Sequence, residues 1–321
     1  MNLKKLPNGM LEGYVILRKC EVKTARNGSE YLDLIIADKD GELPSKLWDY
    51  TGGSAFKADT VVKVRGTIEQ YNGNDQFKIN QIWPATNSDN YNIADLVPSS
   101  KTSGEEIFSM LMSRVNGFKD SDLKAIVTAI MLEKKDALVK CPAAYRLHHA
   151  IVGGLMLHTM SIVRMAEEVC KIYTNVDRDL LLSGAILHDV AKTWEYEFAN
   201  TGLATGYSKG GELVGHLVKG AMYVEEKAKQ LNIKNEKVLL LEHMILSHHG
   251  DPEYGAAVKP MFLEAEILAQ LDTLDATIYE INDATSKVEK GEFTPRQWAL
   301  DDRKLYNHGL KSTEHNVNLK G

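Results

Sequence analysis

The seven residues ILHDVAK, 186–192, set a histidine and an aspartate side by side, His188 and Asp189, in an otherwise apolar stretch. Apolar residues at spacings of three and four predict one helix from Asp179 to Phe198 around them. The same periodicity predicts helices over Ile107–Val115, Asp122–Lys134, Leu155–Tyr173, Leu213–Leu231, Lys234–Ser247 and Pro260–Asn282. Working outward, His158 sits in GGLMLHT, His216 in LVGH, His248 and His249 in LSHHG, and Asp272 in AQLDTLDA. Each belongs to a different predicted helix or helix end, which is how a bundle builds a metal site in its interior. His158 shares a face with Leu155, Ile162 and Met165, so it points where the apolar residues point. Ala265, Ala269 and Ala276 flank Asp272, and small neighbours let that helix come close and turn the carboxylate inward. A buried, unpaired aspartate is costly, and a cation is a fitting partner.

Taken singly, each residue has a plainer explanation. A lone histidine on an apolar face is more often a hydrogen-bonded core residue than a ligand, and Asp272 could cap a helix or pair with a lysine. Several such residues, in this order and on apolar helices, are hard to explain without metal. Histidine with carboxylate suits divalent Mn, Fe, Co or Ni, with manganese the first expectation.

The chain of 321 residues is 44% hydrophobic and 26% charged, which fits a globular protein with room for two domains. Neither a membrane-length apolar run nor a secretory leader is visible, and three scattered cysteines form no CxxC pair. A cytoplasmic protein with no membrane association is expected. A net charge of −6 disfavours a large basic surface for duplex DNA, but not a cation-bearing active site that binds phosphate.

The first ninety residues read differently. Tyr14–Val22, Tyr31–Ala37, Leu43–Trp48, Val61–Ile68 and Gln76–Trp83 are β-branched and aromatic segments separated by turn signals. With a short helix expected within residues 52–58, five strands give the order of an OB barrel, an SH3-like barrel competing on strand count. The fold class is thus a five-stranded OB-type β-barrel followed by an all-α helical bundle. The expected boundaries are 1–88 for the barrel, 89–104 for a polar linker, 105–300 for the bundle and 301–321 for a C-terminal tail, its polar end Glu314–Gly321 expected to fray.

The order His158, His188-Asp189 and Asp272 resembles the HD superfamily of metal-dependent phosphohydrolases. That resemblance implies a divalent cation held by these groups, and His216 with His248 or His249 resembles the forms that hold two, bridged by Asp189. Adjacent helical residues diverge by about 100°, so only one of His248 and His249 is expected on a given cation. LHHAIVGGLMLHT, HDVAKTWEY, VGH, SHHG and the barrel segment DKDGELPSKLWDY together resemble YhaM-type 3′–5′ exoribonucleases over nearly the whole chain. The GDPEY that follows His249 departs from cyclic-dinucleotide HD enzymes.

The resemblance implies hydrolysis of the last linkage of single-stranded RNA, with single-stranded DNA as a further substrate class, releasing nucleoside 5′-monophosphates. Asp189 and Lys192 are the candidate catalytic residues. Lys192, four residues after His188 on the predicted helix, could reach a phosphate oxygen or pair with a ligand carboxylate; a solvated lysine is the plain alternative. His148 and His149 could face the cleft or support a metal ligand. On the barrel, Tyr31, Trp48 and Phe77 are candidate stacking rings, and Lys63, Arg65 and Lys78 candidate phosphate contacts. Strand lysines are usually a solvated face, and Tyr31 or Phe77 could equally be core. A small-molecule HD phosphohydrolase and a DNA-binding factor with a vestigial site are the competing functions, and homo-oligomers are allowed.

Overall fold

Five strands in which buried and exposed side chains alternate build the first part of the chain: β1 (Met10–Thr24), β2 (Glu30–Asp38), β3 (Gly41–Leu47), β4 (Thr60–Tyr71) and β5 (Asn74–Pro84). The computed structural model describes residues 1–321 apart from 4, 8, 40, 53–55, 72, 87, 93, 94, 98–101, 144–150, 199–203, 314, 315, 320 and 321. The chain divides into two units, Met1–Ser99 with Glu197–Gly206, and Ser100–Tyr196 with Tyr207–Gly321.

The strands close in the order β1-β2-β3-β5-β4, with β4 returning to β1. All pairs are antiparallel except β3 with β5. That parallel closure is the OB arrangement, not the SH3-like one. Val15, Leu17, Leu32, Leu34, Ile36, Val62, Val64, Phe77 and Ile79 fill the interior. Successive side chains alternate across a strand, so Lys63, Arg65 and Lys78 lie on the outside.

Phe77 therefore corrects the sequence expectation. It shares the inward face of β5 with Ile79 and is 0% exposed, so it has no free ring face for a base to stack on. β4 shifts register between Arg65 and Gly66 beside it, and a Cβ on Gly66 would lie 2.1 Å from the Lys78 carbonyl oxygen and 2.9 Å from the Phe77 ring. Of the expected short helix, residues 53–55 lie outside the described residues, and the rest of residues 52–58 is not helical. Within the segment expected as linker, Tyr91 packs its ring 5.0 Å from that of Tyr14 on β1, and Asp89 accepts from the Tyr14 hydroxyl.

After the barrel come α1 (Gly104–Asn116), α2 (Ser121–Leu138), α3 (Gly154–Ile172), α4 (Arg178–Leu187), α5 (Lys192–Glu195), a small strand pair β6 (Tyr196–Phe198) and β7 (Ala204–Tyr207), most of which falls in the first unit, then α6 (Lys209–Gln230), α7 (Glu236–Ser247) and α8 (Leu263–Thr285). Helix starts are fixed by side-chain caps: a Ser103–Glu106 capping box, Asp120, Asp177, Ser208 and Asn235. The N-terminal half of α3 and all but the first residue of α4 are buried on every side, as befits central helices. α3 packs on α1, α4 and α8, and α4 also touches α2 and α7. Among the described residues no helix is long and apolar enough to cross a membrane.

Three expectations change. The single helix over Asp179–Phe198 is α4, a turn, the one-turn α5 and β6. α4 stops because the His188 Nδ1–H donates to the Ala185 carbonyl at 2.9 Å, taking an acceptor that the next helical turn would use. α6 is interrupted at Gly215, whose φ of 75° and ψ of 164° are not helical. The C-terminal segment is tied down: Phe293 and Gln297 bridge to Tyr306 and Arg303, and Arg164 donates to the Asn318 carbonyl.

Truncating Phe77 should empty the barrel centre without touching its outer face. Phe77→Ala should lower unfolding stability by about 3–5 kcal/mol in a denaturant titration; a loss below about 1 kcal/mol would contradict its core placement.

Candidate metal centre

His188 and His248 arrive in the same way. Each stands immediately after its helix, α4 or α7, and bonds its own i−3 carbonyl through Nδ1, at 2.9 Å to Ala185 and 2.7 Å to Ile245. A carbonyl only accepts, so Nδ1 carries the proton and Nε2 keeps a bare lone pair. His158 comes from the buried face of α3, its Nδ1 bonded to Asp275 on α8 at 2.7 Å. His216 follows the break in α6, its Nδ1 bonded to Glu195 at 2.9 Å. Asp189 lies at the middle of this group.

The Nε2 atoms converge. His158 Nε2 lies 3.3 Å from His188 Nε2, 3.1 Å from Asp272 Oδ1 and 3.7 Å from Asp189 Oδ2. On the other side of the same carboxylate, Asp189 Oδ1 stands 3.4 Å from His216 Nε2 and 3.5 Å from His248 Nε2. Two sets have ligand atoms within 4.8 Å of one another: His158, His188 and Asp189, and His216, His248 and His249. The sequence reading placed only one of His248 and His249 on a given cation; in the structure one ligand atom of each comes within 4.8 Å of the other and of one on His216.

Among the described residues, five buried side-chain polar atoms lack a hydrogen-bond partner, and four of them are here: Asp189 Oδ1, His216 Nε2, His248 Nε2 and His249 Nδ1. Each orphaned buried acceptor costs about 1–3 kcal/mol, more for a charged one. His216 and His248 turn lone pairs toward a carboxylate oxygen that offers only lone pairs in return. A divalent cation satisfies all of them, and the nitrogen–oxygen donor set fits one.

The charges are arranged to match. Burial alone would raise the Asp189 carboxyl, but the Lys192 ammonium and His188 hold it well below the usual carboxylate range. Burial also disfavours charged His158, yet hydrogen bonds to Asp272 and Asp275 override it and lift its pKa to about 10. Burial, then His248 and His216, push His249 down to about 3, leaving it neutral and ready to coordinate. Lys192 opens α5 instead of continuing the helix of His188, and still reaches Asp189 Oδ2 at 2.6 Å. It is 7% exposed, so the solvated-lysine alternative does not hold.

Two carboxylates escaped the sequence reading. Glu195 is the last residue but one of the HDVAKTWEY run, and Asp275 sits three residues after Asp272, where helical spacing puts both on one face. Asp275 is the deeper of the pair, at 4% exposed. His148 and His149 lie outside the described residues.

On the barrel, Tyr31 and Trp48 lie with ring centroids 4.7 Å apart. The Lys46 ammonium stands 5.2, 5.1 and 5.5 Å from the rings of Tyr31, Trp48 and Tyr71. Lys46 and Tyr71 were not anticipated. Lys63 and Arg65 both face Glu12, and Lys78 pairs with Glu69, so these three cations are partly neutralised.

The HD domain family matches residues 156–277, which contain every ligand candidate, so the helical unit contains an HD domain. The 3′-5′ exoribonuclease YhaM of Listeria welshimeri is 35% identical over 299 residues, 92% of this chain and 95% of that one. Its counterpart in Bacillus subtilis is 33% identical over 298 residues, 92% and 94% of the two chains. This chain belongs to the YhaM family. Among solved structures, the second OB-fold domain of replication protein A from Methanococcus maripaludis has a TM-score of 0.23 at 14% identity, over 29% of this chain and 98% of that one. The HD domain of the L. monocytogenes phosphodiesterase PgpH has a TM-score of 0.29 at 17% identity, over 49% and 79%.

With its pKa near 10, His158 keeps a proton on a ligand atom at neutral pH, and a cation must displace it. Cation binding should therefore release protons, and apparent affinity should rise about tenfold per pH unit per displaced proton between pH 6 and 8. Calorimetry in buffers of different ionisation enthalpy reads this directly; binding without proton release would contradict the electrostatics.

Proposed function

We propose that the chain is a metal-dependent 3′–5′ exoribonuclease that trims single-stranded RNA to nucleoside 5′-monophosphates. The observation that carries the reading is the convergence of orphaned buried ligand atoms on Asp189, in a chain that matches exoribonucleases from end to end. Single-stranded DNA is a further substrate class. The centre is assigned two cations, Mn2+ first, with Fe2+, Co2+ or Ni2+ as alternatives. His158, His188, Asp189 and Asp272 would hold one, and Asp189, His216, His248 and His249 the other. Bound there, the cations supply Lewis acidity toward the phosphoryl oxygens and a lowered pKa for the attacking water.

The chain's own groups do the rest. Asp189 stays ionised and shared between the halves, because Lys192 fixes one of its oxygens. The Lys192 ammonium has further N–H donors for a non-bridging phosphate oxygen of the terminal linkage. His188 and His248, held by their own backbone, present Nε2 without reorganisation. On the barrel, Tyr31, Trp48 and Tyr71 around Lys46 suit unpaired bases, whose ring faces are open to stacking, whereas in a duplex they are covered. Lys63, Arg65 and Lys78 are left a lesser share, because each faces a carboxylate.

With 5′-labelled RNA and Mn2+, the wild type should produce a ladder of progressively 3′-shortened products, and a chelator should stop it. Asp189→Ala should reduce cleavage to background with the fold retained. Trp48→Ala should keep the chemistry and weaken binding of single-stranded RNA by about 1–3 kcal/mol. Hydrolysis of mononucleotides with intact RNA left untouched would overturn the exonuclease reading in favour of a small-molecule phosphohydrolase.

A further inference from the structure

The four histidines whose Nδ1 bonds are described above are not held alike. His188 and His248 lean on carbonyls of their own helices, which come with the fold. His158 is backed by Asp275 from a facing helix. His216 depends on something more specific. Its backbone N–H and its Nδ1–H both donate to one carboxylate oxygen, Glu195 Oε1, each at 2.9 Å, with Oε2 at 3.0 Å from the same Nδ1.

The backbone half of that grip exists only because α6 is broken. In a continuous helix the His216 N–H would donate four residues back. Gly215 takes φ 75° and ψ 164°, a region open essentially to glycine, so the N–H turns away from the helix and toward Glu195. Glu195 is 5% exposed and ends α5. α6 lies so close to it that a Cβ on Gly211 would come within 2.3 Å of the Glu195 carbonyl oxygen. The carboxylate thus fixes the position, the tautomer and the ring orientation of His216 at once.

We propose that Glu195 is the positioning residue that sets cation occupancy of the His216, His248 and His249 half of the centre, leaving the His158, His188 and Asp272 half to bind independently. The inference rests on the two-cation reading above. Without Glu195 the His216 ring is free to turn and its proton can sit on either nitrogen, so Nε2 is no longer committed to the cation. A carboxylate behind a ligating histidine typically changes metal affinity by about 10–100-fold. His158 and His188 take none of their described hydrogen bonds from Glu195.

The test counts Mn2+ bound to the full chain by calorimetry and by the electron paramagnetic resonance signal of the free ion. The wild type should take two equivalents. Glu195→Ala should keep one equivalent at wild-type affinity, which also reports an intact fold, and weaken the other about 10–100-fold. Glu195→Gln should fall between, since its amide oxygen still accepts but carries no charge. In a His216→Ala background, Glu195→Ala should cost nothing further, because the effect passes through His216. A wild type with two equivalents and a Glu195→Ala variant with the same two, or with both lost together, overturns the proposal alone. An additive loss in the His216→Ala background does so too. A wild type that binds a single equivalent overturns the two-cation reading and the proposal with it.

Discussion

Asp189 Oδ1 facing the lone pairs of His216 and His248, all buried, is the constraint on which the helical unit is organised. Acceptor against acceptor at 3.4 and 3.5 Å is unfavourable in a low-dielectric interior unless a positive charge lies among them. The surroundings enforce it. Helix ends at Leu187 and Ser247, a break at Gly215 and carboxylates behind His158 and His216 each orient a nitrogen inward. None of these devices stabilises a helix; each interrupts one or backs a ring. The fold carries the cost because the N-terminal half of α3 and nearly all of α4 are buried, so the core does not depend on regular structure at the site.

Lys192 sets the charge balance of this centre. It neutralises Asp189 Oδ2, which His158 and His188 also approach, and leaves Oδ1 to His216 and His248. Lys192 and Asp189 are buried together at 2.6 Å, and removing either would strand the other as an uncompensated charge. The barrel uses a different economy. Its interior is apolar and closed, and its outer cations Lys63, Arg65 and Lys78 are engaged by Glu12 and Glu69. Rings around Lys46 remain as the part of that surface suited to flat, unpaired bases.

The sequence showed a good deal of this, for physical reasons. β-branched and aromatic runs set between turn signals marked all five strands, because such side chains fit a pleated, half-buried surface. His158 was legible because α3 is strongly periodic around it. Phe77 was misjudged because a buried ring and a stacking ring have the same strand spacing, and only closure of β5 onto β3 says which face is inside. The helix through His188 was drawn too long, since apolar periodicity does not register a histidine side chain bonding its own i−3 carbonyl. Glu195 was missed for a related reason: it meets His216 across 21 positions of sequence, through a helix break that only the φ of Gly215 reveals.

The central claim is that one carboxylate, Asp189, joins two cation positions. Anomalous diffraction from crystals grown with Mn2+ measures this most directly. The account predicts two peaks about 3.5–4 Å apart, with Asp189 contributing one oxygen to each. A single peak, or peaks lying away from Asp189, would contradict it.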